Sequence, residues 1–423
     1  MPAHTAGVLA PGLLGGPGRS GRPGRRGLDD PLRVAVLPDF REEGWPSMDR
    51  VADELLRGLT HRHAARVHAV VVRPPFRSRA ARVCNRPLTV NVDRGLNRFV
   101  DYPRHLARQA RLFDVFHVVD HSYAQLVHRV PAERTVVTCH DLDAFRAVLA
   151  PGDERRSWPF RVVTRHVLDG LRRAARVTCD TCVVRDELVG RLGLRPDKVA
   201  VVPVGVSDVF LVAPDDEADR TATRLLGSPS DRIELLHVGG VGPRKRLDVL
   251  LACVARVGAH VPNLHLVHVG EPLTTAQTWH LSELGLTDRV TSLVGIDDAV
   301  LSAIYRRAAL VLVPSEREGF GLPVAESLAS GTPVVASDLP VLREVGGSAV
   351  AYCPVGDLPA WTRTVLALLG ERTQSPERWA DRREHGARWA MQFTWARFAD
   401  RFAAIYDDLA RACAVVDRSV SAA

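Results

Sequence analysis

Short apolar runs alternate with longer amphipathic stretches along most of the chain, and this alternation constrains the fold more than any other feature. Apolar runs of strand length separated by stretches of helix length indicate βαβ units, in which helices cover a parallel sheet. The first set reads LRVAVLPDF, ARVHAVVV, FDVFHVVD, RTVVTCHD and ARVTC. The second set reads IELLHVGG, LHLVHVG, RVTSLV, LVLVPS and TPVVASD. The sequence therefore predicts an α/β protein with two Rossmann-like, doubly wound domains facing a central cleft, where ligands bind at the carboxyl ends of the strands.

The domain boundaries follow from composition and pattern. The chain has 423 residues, which is enough for two domains. Its composition of 46% hydrophobic and 25% charged residues excludes wholesale disorder. Residues 1–30, rich in Gly, Pro and Arg, are predicted to be a disordered tail, unless translation begins further along. Residues 31–207 form the first domain, 208–390 the second, and 391–415 a final helix. No run of about 18 apolar residues occurs, so we expect no spanning helix and a protein that is soluble or peripheral. We expect it to be cytoplasmic.

Charge is distributed unevenly between the two domains. The net charge of +7 comprises +2 in residues 1–30, +10 in residues 31–207 (30 Lys and Arg against 20 Asp and Glu) and −5 in residues 208–423 (22 against 27). A basic first domain predicts an anionic or membrane-bound acceptor and peripheral contact with the inner membrane face, whereas a solvated Arg-rich surface explains the charge equally well. Residues 161–176 are predicted to form a basic amphipathic helix that either lies on an anionic bilayer or packs on the sheet. Nothing predicts a nucleic-acid partner.

The most informative stretch of the second domain is LVPSEREGFGLPVAESLASGTPVVASD. A buried strand ends in a turn with Glu318, Gly319 and Gly321, and a helix with Glu326 in its second turn follows. The glycines allow the backbone to approach a ligand, and the N–H groups at the helix start favour an anion or a sugar hydroxyl. Both carboxylates are expected to face one cleft and to accept hydrogen bonds from vicinal hydroxyls of a ribose or hexose.

A second Gly-rich turn, HVGGVGPRKR, follows the first strand of the second domain. Glycines at a strand-to-helix turn allow close backbone approach, and the cations Arg244 and Lys245 can neutralise charge, so the turn predicts a diphosphate site. The spacing differs from that of a P-loop.

These motifs, with the two Rossmann-like halves, resemble the retaining, nucleotide-sugar-dependent glycosyltransferases of family 4, which have the GT-B fold. The resemblance extends from Leu32 to about Arg411. It implies that Glu318 faces the donor sugar, Glu326 the ribose and Lys245 the diphosphate. Many members have Arg where this chain has Gly240, and Arg244 would substitute for it. Other residues expected to bind the donor by this resemblance are Gly239, Gly319, Phe320, Gly321 and, through its backbone at the base, Ile296. The final helix would cross back toward the first domain.

In the first domain, VVTCHDLDAF resembles the family's strand ending in His-Asp, which places His140 at the sugar's edge of the cleft. Gly44 and Asp120 stand in two further strand-end loops that we assign to the acceptor side. Asp141 and Asp143 spell Asp-x-Asp, the metal motif of a different glycosyltransferase fold, but the diphosphate already has cationic partners. We therefore expect no metal and no cofactor.

Seven thinly spread cysteines imply no disulfide framework, which favours a reducing compartment. Cys179 and Cys182 form one CxxC pair, but zinc needs four ligands and no second pair has suitable spacing. We interpret the pair as two small side chains on a strand and the turn after it.

The sequence thus predicts transfer of a hexosyl unit from a nucleotide-diphosphate sugar to a hydroxyl acceptor, in glycan, polysaccharide or glycolipid biosynthesis. The expected catalytic residues are His140, Lys245 and Glu318. Two alternatives stay open: a nucleotide-sugar epimerase of the same fold, and a non-catalytic nucleotide-sugar-binding regulator.

Overall fold

The computed structural model describes residues 30–82, 84, 86–152, 154–211, 214–228 and 232–421, with side chains as far as residue 414. Residues 1–29 of the predicted tail lie outside the described residues. Within the described ranges, no helix is both long and apolar enough to cross a bilayer.

The first domain is built on a parallel sheet of six strands in the order β2-β1-β3-β4-β5-β6. Their bounds are β1 Leu32–Leu37, β2 Val67–Val71, β3 Val115–Val118, β4 Thr135–Cys139, β5 Arg176–Cys179 and β6 Val199–Val201. Its helices are α1 Pro46–Arg62, α2 Pro87–Leu96, α3 Tyr102–Gln109, α4 Arg146–Leu149, α5 Trp158–Arg173 and α6 Cys182–Leu192. The middle strands β3 and β4 are buried along their whole length, because helices cover both faces of the sheet.

The second domain repeats this architecture with the strand order β12-β11-β10-β7-β8-β9. Its strands are β7 Ile233–Gly239, β8 Leu264–Gly270, β9 Val290–Leu293, β10 Leu310–Val313, β11 Val334–Ser337 and β12 Val350–Cys353. Its helices are α7 Asp216–Leu226, α8 Leu247–Gly258, α9 Thr275–Glu283, α10 Asp298–Arg307, α11 Leu322–Ala329, α12 Pro340–Gly346, α13 Leu358–Gln374 and α14 Pro376–Ala390. Two parallel six-stranded sheets with flanking helices confirm the predicted fold class.

The final helix, α15 (Trp395–Ser421), lies on the first domain. Its aromatic stripe is buried, with Phe402 stacked on His117 at a centroid distance of 4.6 Å. The Tyr406 hydroxyl lies 2.7 Å from Nδ1 of the same histidine. The C-terminal residues of the chain thereby complete the core beneath β3.

The chain passes between the domains at two neighbouring places. The Val206 amide donates to the Phe393 carbonyl at 3.0 Å, and an isolated parallel bridge joins Val206 to Thr394. Gly205 is packed directly against the backbone of Thr394 and Trp395, where a side chain has no room. The two crossings therefore lie side by side.

Candidate functional site

The two Gly-containing turns of the second domain meet through one carboxylate. Glu318 Oε1 lies 2.6 Å from Lys245 Nζ, and its Oε2 lies 3.1 Å from Arg244 Nη1. The Ser315 hydroxyl donates to Glu318 Oε1 at 2.7 Å. The backbones are joined as well, because the Glu316 amide donates to the Arg244 carbonyl at 2.9 Å. The residues expected to hold the donor sugar and the diphosphate therefore form one cluster.

The electrostatics of this cluster favour an ionised Glu318. Burial raises the pKa of Glu318, but the charges of Lys245 and Arg244 outweigh burial and hold the pKa below its ordinary value. Lys245 is nearly buried, whereas Arg244 is 41% exposed at its side chain. An incoming diphosphate would meet two cations that already share one internal carboxylate.

The Gly-rich turn after β7 already accommodates a carboxylate oxygen. The Val241 amide donates to Glu271 Oε2 at 3.0 Å, and a Cβ built on Gly240 would lie only 2.9 Å from the same oxygen. A Cβ on Gly239 would lie 3.7 Å from Lys245 Nζ. The backbone of this turn is thus shaped for close approach by an anionic group. The sequence interpretation did not identify Glu271, although an acidic residue directly after a strand was a usable signal.

Glu326 lies in the second turn of α11 and is 5% exposed. Tyr305 donates to its Oε2 at 2.9 Å. Arg50 of α1, from the first domain, lies 3.4 Å from its Oε1 and 2.5 Å from Asp298 at the start of α10. Burial raises the pKa of Glu326, although Arg50 opposes this shift. The residue expected to bind ribose is therefore held by one residue from each domain.

The turn between β10 and α11 reaches the first domain through its backbone. A Cβ built on Gly319 would lie 2.6 Å from the His140 carbonyl oxygen, so only glycine fits this approach. Gly321 has φ 95° and faces Leu342. The Phe320 side chain is buried against Phe393, with a centroid distance of 5.5 Å, which leaves its backbone for contact with a ligand.

His140 lies at the end of β4 with both ring nitrogens engaged by the protein. Nδ1 is 2.7 Å from Asp180 Oδ2, and Nε2 is 3.1 Å from the Val119 carbonyl. Burial lowers the pKa of His140, but Asp180 outweighs burial and raises the pKa to about 9. Burial also raises the pKa of Asp180, because desolvation penalises the charged form of its carboxylate. The proton-bearing His140 ring donates to two protein acceptors, and its backbone carbonyl contacts the turn of the second domain.

The remaining predicted residues are placed as follows. Asp120 is buried after β3, where its oxygens accept from the amide and hydroxyl of Ser122 at 2.7 and 2.9 Å. Gly44 is exposed before α1 with φ 78°. Ile296 is half-buried in the loop before α10, beside Asp298.

Asp141 and Asp143 form a tight turn, since the Asp143 amide donates to Asp141 Oδ1 at 2.9 Å. Arg317 of the second domain lies 3.4 Å from the Asp143 carboxylate. Cys179 is buried at the end of β5, and Cys182 is the first, exposed residue of α6 rather than a residue of the preceding turn.

Further contacts across the cleft were missed by sequence reasoning. Glu344 of α12 accepts from the amides of Cys182 and Val183 at 2.7 and 3.2 Å, which caps the start of α6 in the other domain. The Arg50 contacts described above also cross the cleft. No sequence signal connects such residues, because each pair joins two domains that pack only after folding.

Comparison with known proteins agrees with this geometry. Residues 220–385 match the sequence model of "Glycosyl transferases group 1", and residues 48–210 match that of "Glycosyltransferase Family 4". The chain is 35% identical over 285 residues to the D-inositol 3-phosphate glycosyltransferase of Mycolicibacterium smegmatis, covering 64% of this chain and 61% of that protein. It is 30% identical over 294 residues to D-inositol 3-phosphate glycosyltransferase 1 of Catenulispora acidiphila, covering 66% of this chain and 68% of that protein. The chain spans about 60% of the length of the first relatives that it matches.

Solved structures show the same fold. Sucrose-phosphate synthase of Thermosynechococcus elongatus superposes with a TM-score of 0.69 at 20% identity, covering 90% of this chain and 100% of that chain. HepE of Anabaena, in complex with UDP and glucose, superposes with a TM-score of 0.65 at 15% identity, covering 89% of this chain and 100% of that chain. These likenesses show the GT-B fold, and together with the two family matches they establish that the chain belongs to glycosyltransferase family 4, the glycosyl transferases group 1.

Proposed function

We propose that this protein transfers a hexosyl unit from a nucleotide-diphosphate sugar to a hydroxyl acceptor, with retention at the anomeric carbon. The observation that carries the proposal is the convergence of Lys245 and Arg244 on Glu318 at the cleft, beside the start of the helix that bears Glu326. Named relatives are D-inositol 3-phosphate glycosyltransferases, and structural neighbours were solved with UDP and UDP-glucose. These names support a nucleotide-sugar donor.

In the proposed reaction, Lys245 and Arg244 stabilise the negative charge that develops on the leaving diphosphate. Preorganised cations of this kind stabilise a transition state strongly, because the protein does not reorganise during the step. Glu318 is freed from the cations as the diphosphate replaces it, and it then accepts hydrogen bonds from hydroxyls of the donor sugar. The contact of Gly319 with the His140 carbonyl closes the cleft over the sugar, which would exclude water.

Turnover of a panel of nucleotide sugars tests this function. Purified protein is incubated with UDP-, GDP- and ADP-hexoses, with D-inositol 3-phosphate as the first acceptor to try, because it is named in the relatives. We expect nucleoside diphosphate to be released only when an acceptor is present. Release or epimer formation without an acceptor would favour the epimerase, and binding without any turnover would favour the regulator.

The chain offers a matched control for this assay. Lys245 and Lys198 are its two lysines, and Lys198 lies outside the cleft, where its Nζ donates to the Arg172 carbonyl. Lys245→Ala should abolish most turnover, and Lys198→Ala should leave it intact.

We further propose that transfer requires no metal ion, because Lys245, Arg244 and backbone amides supply the positive charge at the diphosphate. Activity should survive an excess of EDTA. Loss of activity that manganese restores would instead assign a metal to Asp141 and Asp143.

A membrane-bound acceptor is the second part of the proposal, and it rests on α5. The predicted apolar face divides in two: Val167, Leu168 and Leu171 are buried on the domain, whereas residues of the first half are exposed. These exposed residues are Trp158 (74%), Phe160 (44%), Val162 (41%) and Val163 (42%). Arg161 and Arg165 accompany them, so this end of α5 suits an anionic bilayer surface.

Co-sedimentation with liposomes tests the membrane contact. Binding to vesicles with anionic lipid should weaken as salt is raised, and the double variant Trp158→Ser/Phe160→Ser should lose it. Trp279→Ser is the control, since Trp279 is 64% exposed on α9 of the second domain. Equal binding of all three proteins, or none at low ionic strength, would exclude this role of α5.

A further inference from the structure

The segment that follows β8 holds the Gly-rich turn after β7 through two side chains. The Val241 amide donates to Glu271 Oε2 at 3.0 Å, and the Gln277 side-chain amide donates to the Val241 carbonyl at 2.9 Å. Gln277 is itself fixed at the start of α9, where its Oε1 accepts from the Thr274 amide at 2.9 Å. Both polar groups of the Val241 backbone are therefore occupied by side chains of the connection between β8 and α9.

The backbone brings Glu271 to this position. β7 and β8 are paired as far as their last residues, Gly239 and Gly270, and a Cβ built on Gly270 would lie only 2.0 Å from the Gly239 carbonyl oxygen. Glu271 follows directly, and its own carbonyl lies 3.0 Å from His268 Nε2. The main chain of Glu271 is thus anchored at the end of β8, while its carboxylate extends to the turn after the neighbouring strand.

The Glu271 carboxylate occupies a place that an anionic ligand would take. Backbone amides at a strand-to-helix turn bind anions, and in the turn that we assign to the diphosphate the Val241 amide already donates to Glu271. Gly240 leaves room for the carboxylate, since a Cβ there would lie 2.9 Å from Glu271 Oε2. Lys245 Nζ lies at the same turn, 3.7 Å from a Cβ built on Gly239. Glu271 is exposed to solvent, so its contact with the amide can be exchanged for a contact with a ligand.

We propose that Glu271 is an internal anion that a bound diphosphate displaces from the Gly-rich turn, and that its charge disfavours the free nucleoside diphosphate more than the intact donor. This inference rests on the proposed glycosyl transfer, because it concerns the diphosphate site of that reaction. The role of Glu271 is to set the relative affinities of donor and product at the turn.

The discrimination follows from the charges of the two ligands. The terminal phosphate of a free nucleoside diphosphate loses its second proton with a pKa of about 6, whereas the ester bond to the sugar removes this ionisation from the donor. A carboxylate that has left the amide but remains beside the turn repels the more highly charged ligand more strongly. Transfer of the sugar therefore converts a weakly repelled donor into a more strongly repelled product, and Glu271 favours release of that product.

Calorimetric titration of the full chain with inorganic pyrophosphate and with UDP, GDP and ADP tests the displacement. Glu271→Gln keeps an oxygen that can accept from the Val241 amide and removes only the charge. We expect this variant to bind pyrophosphate and nucleoside diphosphate about three- to tenfold more tightly than wild type, with a gain that shrinks as salt is raised. Binding of the parent nucleoside should change by less than about twofold, because the nucleoside carries no phosphate charge.

Glu283→Gln is the matched control, because it removes the same charge from the last residue of α9. The Glu283 side chain is 48% exposed, and its Oε2 lies 3.8 Å from His280 Nδ1. α9 begins beside the Gly-rich turn and runs back along the sheet, so Glu283 lies at the end away from the turn. Glu283→Gln should bind pyrophosphate as wild type does.

Comparison of donor and product tests the discrimination. UDP-, GDP- and ADP-glucose are titrated into the same proteins, and each affinity is compared with that of the corresponding nucleoside diphosphate. The Glu271→Gln substitution should strengthen binding of the nucleoside diphosphate by a larger factor than binding of the nucleotide sugar. Equal gains for both ligands would show that Glu271 does not separate product from donor.

Two results would overturn the displacement itself. If Glu271→Gln binds pyrophosphate as wild type does, the carboxylate does not compete with the ligand. If the variant binds pyrophosphate more weakly, Glu271 supports the turn in its binding conformation instead of opposing the ligand. Should Glu271→Gln fail to fold by circular dichroism, Glu271→Ala provides the same comparison without the charge.

Turnover and the Lys245→Ala variant separate this inference from the proposed function. Lys245→Ala should weaken pyrophosphate binding, because it removes a cation from the same turn. Tighter pyrophosphate binding by Glu271→Gln without turnover of any nucleotide sugar would refute the transfer and leave the displaced carboxylate. Normal turnover by wild type with unchanged pyrophosphate binding in Glu271→Gln would refute this inference alone, and absence of diphosphate binding in both proteins would refute both.

Discussion

Arg50 is expected to compete with the nucleotide for Glu326. The guanidinium of Arg50 extends from α1 across the cleft to Glu326 Oε1 at 3.4 Å and to Asp298 at 2.5 Å. If Glu326 binds the ribose hydroxyls, it must exchange its contact with Arg50 for contacts with the ligand. Removing Arg50 should therefore strengthen nucleotide binding, although it removes an ion pair that holds the two domains together.

The magnitude can be derived from the geometry. At 3.4 Å and an effective dielectric constant of about 20, the Coulomb attraction between Arg50 and Glu326 is about 5 kcal/mol before desolvation is subtracted. The desolvation of a buried carboxylate offsets most of that attraction. Asp298 and Arg50 are each about one-third exposed, so their pair contributes at most about 1 kcal/mol. A net contact of about 1–2 kcal/mol corresponds to an affinity gain of about 5- to 30-fold for Arg50→Ala.

Isothermal titration calorimetry with UDP, GDP and ADP measures this effect. Arg57→Ala is the matched control, because Arg57 lies two turns further along α1, is 61% exposed and pairs with Glu54 of its own helix at 2.7 Å. We expect Arg57→Ala to bind nucleotide as wild type does. Unchanged or weaker binding by Arg50→Ala would refute the competition and show that Arg50 assists the nucleotide instead.

The remaining predictions concern the cluster and the buried histidine. Lys245→Ala should lower kcat/KM by roughly 2–4 kcal/mol of transition-state stabilisation, and steady-state kinetics within twofold of wild type would remove Lys245 from the diphosphate. Glu326→Ala should weaken binding of the intact donor and of free nucleoside diphosphate alike, whereas Glu318→Ala should weaken mainly the donor; equal calorimetric losses for both ligands in both variants would contradict this division. Because the pKa of His140 is raised to about 9, its proton should stabilise the fold below about pH 6.5, and this contribution should be lost as pH rises through 9. Urea unfolding from pH 6 to 9.5 should show that decline in wild type and a smaller one in His140→Gln; equal slopes would contradict the buried ion pair.

The fold was predictable because its signal is local and repeated. Strands such as β3, β4, β10 and β11 are buried on both faces, so they read as continuous apolar runs whatever the rest of the chain does. The turn from Glu318 to Gly321 was identifiable for a related reason: its glycines, carboxylate and following helix start are adjacent in sequence.

Periodicity alone left the environment of α5 undecided. It groups Val162 and Val163 with Val167 and Leu171 as apolar residues of one helix, yet the structure exposes the first pair and buries the second. The second half of the helix packs against the segment His121–Arg129, where a Cβ built on Gly170 would lie only 2.0 Å from the Ala124 carbonyl oxygen. Burial depends on where the neighbouring elements end, which a helical pattern does not contain.

The rest of the site depends on contacts between residues that are far apart in sequence. Arg50 and Asp298 are separated by 248 positions, and Asp39 and Asp120 come to the same edge of the sheet only because β1 and β3 are neighbours. A polar residue after a strand indicates a position at the cleft, but not its partner or its protonation state. For Asp39 these depend on burial and on the donors that Asp120 already has, both of which exist only in the folded protein.

The contacts across the cleft differ in whether a bound donor could leave them intact. Glu344 at the start of α6 and Gly319 against the His140 carbonyl involve no side chain that we assign to the nucleotide. The contact of Arg50 with Glu326 does involve such a side chain, because Arg50 occupies an oxygen of the carboxylate that we assign to the ribose. Under this assignment, a bound donor would loosen one side of the cleft, while the contact of Gly319 with the His140 carbonyl could persist. A ligand shifts an equilibrium only by its different affinities for the two states, so we expect the exchange at Glu326 to couple nucleotide binding to domain closure.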